Sequence, residues 1–222
     1  MNKIATMVKH DIELDFDDMT EEKGSSRKKQ TDLLKLLSKG SSTFHEIEWG
    51  LNIKDSIIYL HGDIGLGNLF DVISKVRIVL ENRPKKNAKD PINVFINTNG
   101  GDVYEALGII DYFESLLPIK VNVTARGRAM SAGAMILACA TGERKAAKRT
   151  VIMLHEASGE FFGKSADIKA TAEHFDKLED DFYLMMAEKT GQSEEFWRKV
   201  CRKDFYITAA KAQELGIVDE VI

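Results

Sequence analysis

The sequence predicts an α/β fold with a largely parallel sheet, and two observations support this prediction. From residue 53 onward, short runs rich in Val, Ile and Phe alternate with longer segments whose apolar residues recur at helical spacing. Such an alternation of strands and helices is typical of α/β proteins. Hydrophobic residues make up 44% of the 222 residues, which is enough for one sizeable core.

The predicted elements follow one another in a regular order. The strand candidates are four runs rich in β-branched residues: 53–64, 91–98, 119–126 and 150–156. The helix candidates are three amphipathic segments and one made of small residues: 68–82, 103–116, 131–141 and 165–191. Pro118 and Gly142 end the second and third helices, and Ser165 is a candidate cap for the fourth. Residues 83–90 are predicted to be a polar loop.

Charge and cysteine usage restrict the function classes. The formal net charge of −4 argues against nucleic acid as the main partner, because phosphate binding needs a basic surface. No stretch approaches the roughly 18 consecutive apolar residues of a membrane span, and residues 1–29 lack an apolar signal-peptide core. We therefore expect a cytoplasmic protein. Cys139 and Cys201 lack metal-ligand spacing and are interpreted as structural thiols, with no metal and no cofactor expected.

The N-terminal region differs in composition from the rest of the chain. An acidic run at 11–18 precedes a stretch of Gly, Ser and mixed charges. We interpret residues 1–42 as a flexible arm, which is a mobile segment, a removable propeptide or a gating segment. Residues 43–222 are expected to form one domain.

Two glycines mark the first candidate functional turn. Gly100 and Gly101 lie between the strand 91–98 and the helix 103–116. Paired glycines allow a sharp turn and bring N–H groups close to a ligand, such as an anion or a developing oxyanion. A plain strand-to-helix turn explains the same pattern, so both interpretations stay open.

Ser131 is the second candidate, at the point where a strand gives way to a helix. It has small neighbours, and the positive end of a helix dipole would favour negative charge there. The alternative is that Ser131 merely caps the helix. Gly127 and Gly133 do not reproduce the Gly-x-Ser-x-Gly spacing of the α/β-hydrolases, which argues against that class.

His155 is the third candidate, at the end of an apolar run. A histidine there is either a general base or a satisfied structural residue. The other histidines are less suitably placed: His10, His45, His61 and His174. A serine hydrolase also needs a group that orients its histidine. Asp204 is one of many acids and does not stand out alone.

Taken together, three segments resemble the proteolytic subunit of the Clp protease: 100–114, 125–159 and 203–222. The order is specific: a Gly-Gly turn, a serine in a Gly-x-Ala-x-Ser setting, a Met-x-His strand and an Asp before a Phe. The resemblance covers about residues 53–222. It implies the ClpP/crotonase-like fold, with repeated β-β-α units, a mainly parallel sheet and a protruding handle helix at about 157–190.

The resemblance also implies roles for individual residues. Ser131 would be the nucleophile of a serine endopeptidase, His155 its general base and acid, and Asp204 the residue that orients His155. The N–H groups of Gly101 and Ala132 would form the oxyanion hole. Substrate-binding residues would be Gly100, next to that hole, and two glycines of a handle strand that pairs with the substrate backbone: Gly159 and Gly163.

Partners are implied in the same way. Family members resemble a barrel of two stacked heptameric rings, a tetradecamer, that encloses the active sites and cleaves unfolded polypeptides, often with an AAA+ unfoldase. The N-terminal region of this chain departs from the family. At the docking cleft Phe95 keeps one expected aromatic, but Asn93 replaces another. We therefore expect weaker or different pairing with an ATPase, or none.

Several other functions are weighed against this one. A phage-type head-maturation protease or an autonomous ClpP-like peptidase stays open. A Ser–Lys peptidase could use Lys145 or Lys148, but His155 with Asp204 gives the better account. An enoyl-CoA hydratase relative would not need Ser131. An inactive structural ring subunit should lack a catalytic residue, and this chain has all three.

Overall fold

A computed structural model describes residues 42–159 and 161–222. The arm predicted at 1–42 lies outside the described residues except for Ser42, and its boundary stays a prediction. In the described residues the helices are α1 (Ser42–Trp49), α2 (Asn68–Asn82), α3 (Val103–Ser115), α4 (Ala132–Ala138), α5 (Ser165–Thr190), α6 (Glu194–Val200) and α7 (Ala209–Glu214). The strands are β1 (Leu51–Asn52), β2 (Ile57–His61), β3 (Ile92–Thr98), β4 (Val121–Met130), β5 (Arg144–Ala146), β6 (Val151–Leu154), β7 (Phe205–Thr208) and β8 (Glu220–Val221).

The strands form one mostly parallel sheet in the order β1-β2-β3-β4-β5-β8. Strand β4 is long enough to pair with β5 along its first half and with β6 along its second half. Strand β7 lies antiparallel to β6, and β1 lies antiparallel to β2, while the other pairs are parallel. The predicted α/β class with a largely parallel sheet is confirmed.

The core lies between the sheet and the helices that cover it. Helix α3 buries four apolar residues at helical spacing: Ala106, Ile109, Ile110 and Phe113. Alternate residues of β3 are buried, among them Ile92, Val94 and Ile96. Helix α4 is buried along its whole length, which explains why it is built largely from small residues.

Helix α5 contacts the core only near its C-terminal end. Its buried residues are Phe182, Tyr183 and Met186, although the helix has 26 residues and begins at Ser165. It ends at Gly191, whose φ of 75° allows the N–H to bond the carbonyl of Ala187. The predicted cap at Ser165 is wrong: Lys164 precedes the first turn and its side chain donates or accepts no capping hydrogen bond.

The polar loop 83–90 and the last strands differ from the prediction. The loop contains a 3-10 turn (Lys85–Asn87), and the buried Arg83 donates hydrogen bonds to the carbonyls of Ala88 and Asp90. Strands β5, β7 and β8 were not predicted, since each has at most four residues and depends on its neighbours. None of the helices in the described ranges is long and apolar enough to cross a membrane.

Three parallel strands end together at one edge of the sheet. The register pairs Thr98 of β3 with Ala129 of β4, and Met130 of β4 with Met153 of β6. The residues that follow these strands therefore meet at one edge, where α/β folds place their sites. All three sequence candidates, the Gly-Gly turn, the serine and the histidine, come directly after these ends.

Candidate active site

Ser131 occupies a strained turn between β4 and α4. Its backbone has φ 51° and ψ −123°, a conformation that L-residues rarely adopt. Its N–H donates to the carbonyl of Met153 at 2.8 Å, which ties the turn to β6. Although Ser131 precedes the helix, its side chain makes no capping hydrogen bond. The interpretation of Ser131 as a simple helix cap therefore does not describe this structure.

The Ser131 hydroxyl faces His155 instead. Its Oγ lies 2.8 Å from Nε2 of the half-buried His155. His155 follows the last residue of β6, and the next N–H, that of Glu156, donates to the carbonyl of Cys201. In the tautomer with a free Nε2, the imidazole accepts the hydroxyl proton, which is the geometry a base needs to activate a serine.

Gly100 and Gly101 bring a third piece of backbone against the serine. A Cβ on Gly100, where φ is 93°, would lie 2.7 Å from the Cβ of Ser131 and 3.0 Å from the nitrogen of Ala132. A Cβ on Gly101, where φ is 142°, would lie 2.0 Å from the carbonyl oxygen of Ile64. Side chains are excluded at both positions, so the paired glycines are required for close approach and not only for a turn.

Two N–H groups remain available at this turn. Within the described ranges, the N–H groups of Gly101 and Ala132 donate to no protein acceptor. Ala132 is the first residue of α4, where an N–H has no partner inside the helix. The neighbouring Asp102 caps α3 by accepting from the N–H groups of Tyr104 and Glu105, and so holds the Gly-Gly turn in place.

Asp204 lies across from His155 but forms no described hydrogen bond with it. The antiparallel register of β6 and β7 pairs Leu154 with Phe205, so Asp204 and His155 stand opposite one another just beyond the ladder. The Asp204 carboxylate is exposed and accepts a long hydrogen bond of 3.4 Å from the hydroxyl of Tyr206. Among the described contacts there is no hydrogen bond between Asp204 and His155.

A cavity of about 490 Å³ opens beside Ser131 and His155. One wall is apolar and comes from α4, α5 and the end of β6: Met135, Met153, Phe175, Leu178 and Phe182. The lining also includes the turn with Asn99, Gly101 and Asp102, followed by Tyr104. A cavity with an apolar wall and a few polar groups next to a nucleophile is suited to hold a side chain of a bound substrate.

The glycines predicted to bind substrate lie in different places. Gly100 sits against Ser131, as described above. Gly159 and Gly163 fall in the segment between His155 and α5, outside the cavity wall. Neither belongs to a strand in this chain; Gly163 has φ 150°, and a Cβ on Gly159 would touch the ring of Phe161 at 3.3 Å. Their substrate role stays a prediction.

Sequence reasoning missed a polar group at the same edge. Asn99 donates to Asp63 at 2.9 Å and accepts from the guanidinium of Arg128 at 2.7 Å. These three residues join the ends of β2, β3 and β4 beside the Gly-Gly turn. The position of Asn99 directly before the glycines was the available signal, but its partners are distant in sequence.

The other candidate chemistries find less support in the described residues. The ammonium of Lys145 contacts Glu143 at 2.9 Å and Glu220 at 3.0 Å, and it does not contact Ser131. In the described ranges no group of three His, Cys, Asp or Glu side chains is arranged to hold a metal. Burial raises the pKa of the Cys139 and Cys201 thiols to about 12, so both are neutral and poorly reactive.

Comparison with known families agrees with this geometry. The model of the Clp protease family matches residues 45–222, which covers the whole described domain except for its first residues. The match includes the Gly-Gly turn, Ser131, His155 and Asp204. The resemblance seen in the sequence is thereby confirmed, as are the ClpP-type fold and the expectation of a peptidase. The chain belongs to the Clp protease family.

Proposed function

We propose that the chain is a serine endopeptidase in which Ser131, His155 and Asp204 act together on polypeptide substrates. The observation that carries the proposal is the 2.8 Å contact between Ser131 Oγ and His155 Nε2, made by a serine with a strained backbone and no capping role. Serine is a weak nucleophile by itself, and a positioned base is the usual means of activating it.

The first chemical step forms an acyl-enzyme. Ser131 Oγ attacks the scissile carbonyl carbon while His155 Nε2 accepts the hydroxyl proton. The resulting imidazolium then gives this proton to the leaving amine as the C–N bond breaks. Water hydrolyses the ester by the same route, with His155 accepting a proton from water and returning it to Ser131 Oγ.

The oxyanion of the tetrahedral intermediate is bound by the N–H groups of Gly101 and Ala132. Two features support this assignment: both groups lack a described protein acceptor, and Gly100 brings the turn within van der Waals range of Ser131 and Ala132. The loss of one such donor typically costs about 2.7–4 kcal/mol of transition-state stabilisation.

Asp204 completes the mechanism by accepting a hydrogen bond from Nδ1 of His155. This bond selects the tautomer with a free Nε2 and stabilises the imidazolium. The proposal is supported by the strand register, which places the two residues opposite one another. It requires the Asp204 carboxylate to turn away from Tyr206 and toward His155 before or during substrate binding.

Labelling with a fluorophosphonate tests the nucleophile. Ser131 Oγ should displace fluoride from phosphorus and leave a phosphonyl ester at this residue. Ser131→Ala should lose labelling and reduce cleavage of a fluorogenic peptide by about a millionfold, because the nucleophile and base act as a unit. A Ser131→Ala protein with the wild-type fold by circular dichroism that still cleaves the peptide at the wild-type rate would refute the proposal.

The proposal extends to assembly into heptameric rings, stacked in pairs around a chamber. Large apolar side chains on the described surface support self-association, among them Leu66, 99% exposed and just before α2, and Phe70, 75% exposed and in its first turn. Light scattering at physiological salt should give a mass of seven or fourteen chains. A monomer that keeps Ser131-dependent peptidase activity would contradict the ring assembly alone.

An AAA+ unfoldase is the proposed partner, with weaker docking than in typical family members. Tyr59 and Phe95 stack with ring centroids 5.6 Å apart, so an aromatic surface is present. Beside it, the amide of Asn93 accepts from Asn122 at 3.0 Å. A polar amide at this position offers less apolar area to a docking side chain than an aromatic ring would.

A further inference from the structure

A pair of side chains outside the catalytic group joins α3 and α5 beside the cavity. The hydroxyl of Tyr104, in the first turn of α3, lies 2.8 Å from Nε2 of His174 in the middle of α5. The two rings are nearly parallel, with an interplanar angle of 8° and centroids 6.0 Å apart. Tyr104 lines the cavity and comes two residues after Asp102, whereas His174 is not among the residues that line it.

The contact continues into an aromatic cluster. The His174 ring meets the edge of Phe175 at 6.4 Å, and Phe175 packs edge-on against Phe161 with centroids 4.8 Å apart. Phe175 also lines the cavity. We call Tyr104, His174, Phe175 and Phe161 the aromatic bridge. It ties together the first turn of α3, the middle of α5 and the segment that follows His155.

This bridge lies on a part of α5 that has little other support. No residue of α5 before Phe182 is buried. Among the described hydrogen bonds and ion pairs, the one between Tyr104 and His174 alone connects residues 165–178 to α3 or to the sheet. Tyr104 is 53% exposed, and His174 is exposed as well, so the pair contributes little to the core. The position of the pair at the cavity therefore says more about its role than its small contribution to the stability of the core does.

The cavity lining also includes several apolar side chains that do not belong to the bridge. Met135 and Met153 lie next to the catalytic residues, and Leu178 and Phe182 continue the wall along α5. A substrate whose carbonyl carbon is at Ser131 can place an adjacent apolar side chain in this cavity. Tyr104 lines the same cavity, so the space that its side chain occupies limits how large the substrate side chain can be.

We infer that the aromatic bridge determines the size of the substrate side chain that the cavity accepts. Tyr104 is the specificity-determining residue, because its side chain is part of the cavity lining. His174 is a positioning residue that acts through Tyr104 by hydrogen bonding and stacking. The inference rests on the proposed peptidase function and adds to it the size limit that Tyr104, held by His174, sets for the substrate side chain.

The test uses two fluorogenic peptides that differ only in the residue before the scissile bond. This residue is leucine in one peptide and tryptophan in the other. The readout is the ratio of kcat/KM for tryptophan to that for leucine. Tyr104→Ala should raise this ratio by about tenfold, since the fit of a few methylene-sized groups changes kcat/KM by about 10–200-fold. The change should appear mainly in KM for the tryptophan peptide.

The hydrogen bond is tested by a double-mutant cycle. Tyr104→Phe keeps the ring and removes the hydroxyl, and His174→Ala removes its partner. Each should raise the ratio by about threefold. The double variant should raise the ratio as much as His174→Ala alone does, and not by the product of the two single effects, because contacting residues do not act independently. Glu173→Gln, an exposed neighbour on α5, is the control and should leave the ratio unchanged.

The outcomes separate this inference from the function it rests on. A ratio within twofold of wild type in Tyr104→Ala overturns the inference, and so do independent, multiplicative effects in the cycle. Cleavage that Ser131→Ala does not abolish overturns the proposed function instead. If Tyr104→Ala does not fold, the milder pair, Tyr104→Phe and His174→Ala, still decides the result.

Discussion

The two sides of the proposed active site, that of the proposed nucleophile Ser131 and that of the proposed orienting residue Asp204, are held by different means. On the nucleophile side, Ser131 and the two glycines are positioned by backbone: a strained turn, an N–H bond to Met153 and approaches that exclude a Cβ. On the orienting side, Asp204 is exposed and contacts Tyr206 through a hydrogen bond of 3.4 Å. The first arrangement is determined by packing, whereas the second depends on side-chain rotamers.

This difference shows which part of the site is preorganised in the single chain. Backbone held by a sheet cannot move without breaking several contacts, while an exposed carboxylate changes rotamer at a cost near thermal energy. Oxyanion donors have to be preorganised, because their value lies in avoiding reorganisation during the reaction. A residue that only orients a histidine can take up its position later, for example when substrate binds.

Among the variants that leave Ser131 in place, the largest effect is expected on the orienting side. Asp204→Asn should lower kcat for a fluorogenic peptide by about 10⁴-fold, because an amide favours the wrong imidazole tautomer. Ser131 labelling by a fluorophosphonate should slow in parallel. A loss of kcat smaller than tenfold would show that the Asp204 carboxylate stays beside Tyr206, as in the single chain, and takes no part in catalysis.

Tyr206→Phe is the matched control for that experiment. It removes the one described partner of Asp204 but leaves the carboxylate free to reach His155. A hydrogen bond of 3.4 Å at an exposed position is weak, so kcat should change by less than about threefold. A large loss in this variant would instead assign the orienting role to a Tyr206–Asp204 unit.

A smaller effect, on stability, is expected on the nucleophile side. Gly101→Ala should lower Tm by about 6–12 °C, since overpacking and a positive φ together cost about 3 kcal/mol in a chain of this size. Its new Cβ would meet the Ile64 carbonyl oxygen at 2.0 Å. Peptidase activity should fall as well, because the N–H of residue 101 would move.

Gly191→Ala is the control for this comparison. Gly191 also has positive φ, 75°, but a Cβ there would meet nothing within 4 Å. This variant should lower Tm by only about 2–4 °C, the effect of about 1 kcal/mol, and should leave kcat unchanged. If both variants lowered Tm equally at the same protein concentration, the close approach of Gly101 to the Ile64 carbonyl would not be the main reason why this position requires glycine.

Periodicity predicted the long helices well. The segment 68–82 is helical over the predicted range, Asn68–Asn82, because its apolar residues Val72, Val76 and Val79 repeat with the helical period and are buried. The short strands β5 and β7 could not be predicted in this way. Each is a strand because a neighbour supplies its hydrogen bonds, and that neighbour is distant in sequence.

Single-residue reasoning was weakest at Ser131 and Asp204. A serine before a helix is ordinarily a cap, and only the positive φ that turns its side chain to His155 shows otherwise. The orienting role of Asp204 stays a prediction, because the register places it opposite His155 but its carboxylate bonds Tyr206. Tyr104 and His174 had no sequence signal as a pair, since they lie 70 residues apart.

The sequence by itself determined the α/β class, the family and the order of the Gly-Gly turn, serine and histidine along the chain. These depend on local periodicity and on residue types at short spacing, which are readable without coordinates. Only the tertiary structure decided that the Ser131 hydroxyl meets His155, that the glycines exclude a Cβ, and that Tyr104 reaches α5. Those contacts join residues far apart in sequence, and the register of a parallel sheet is what brings them together.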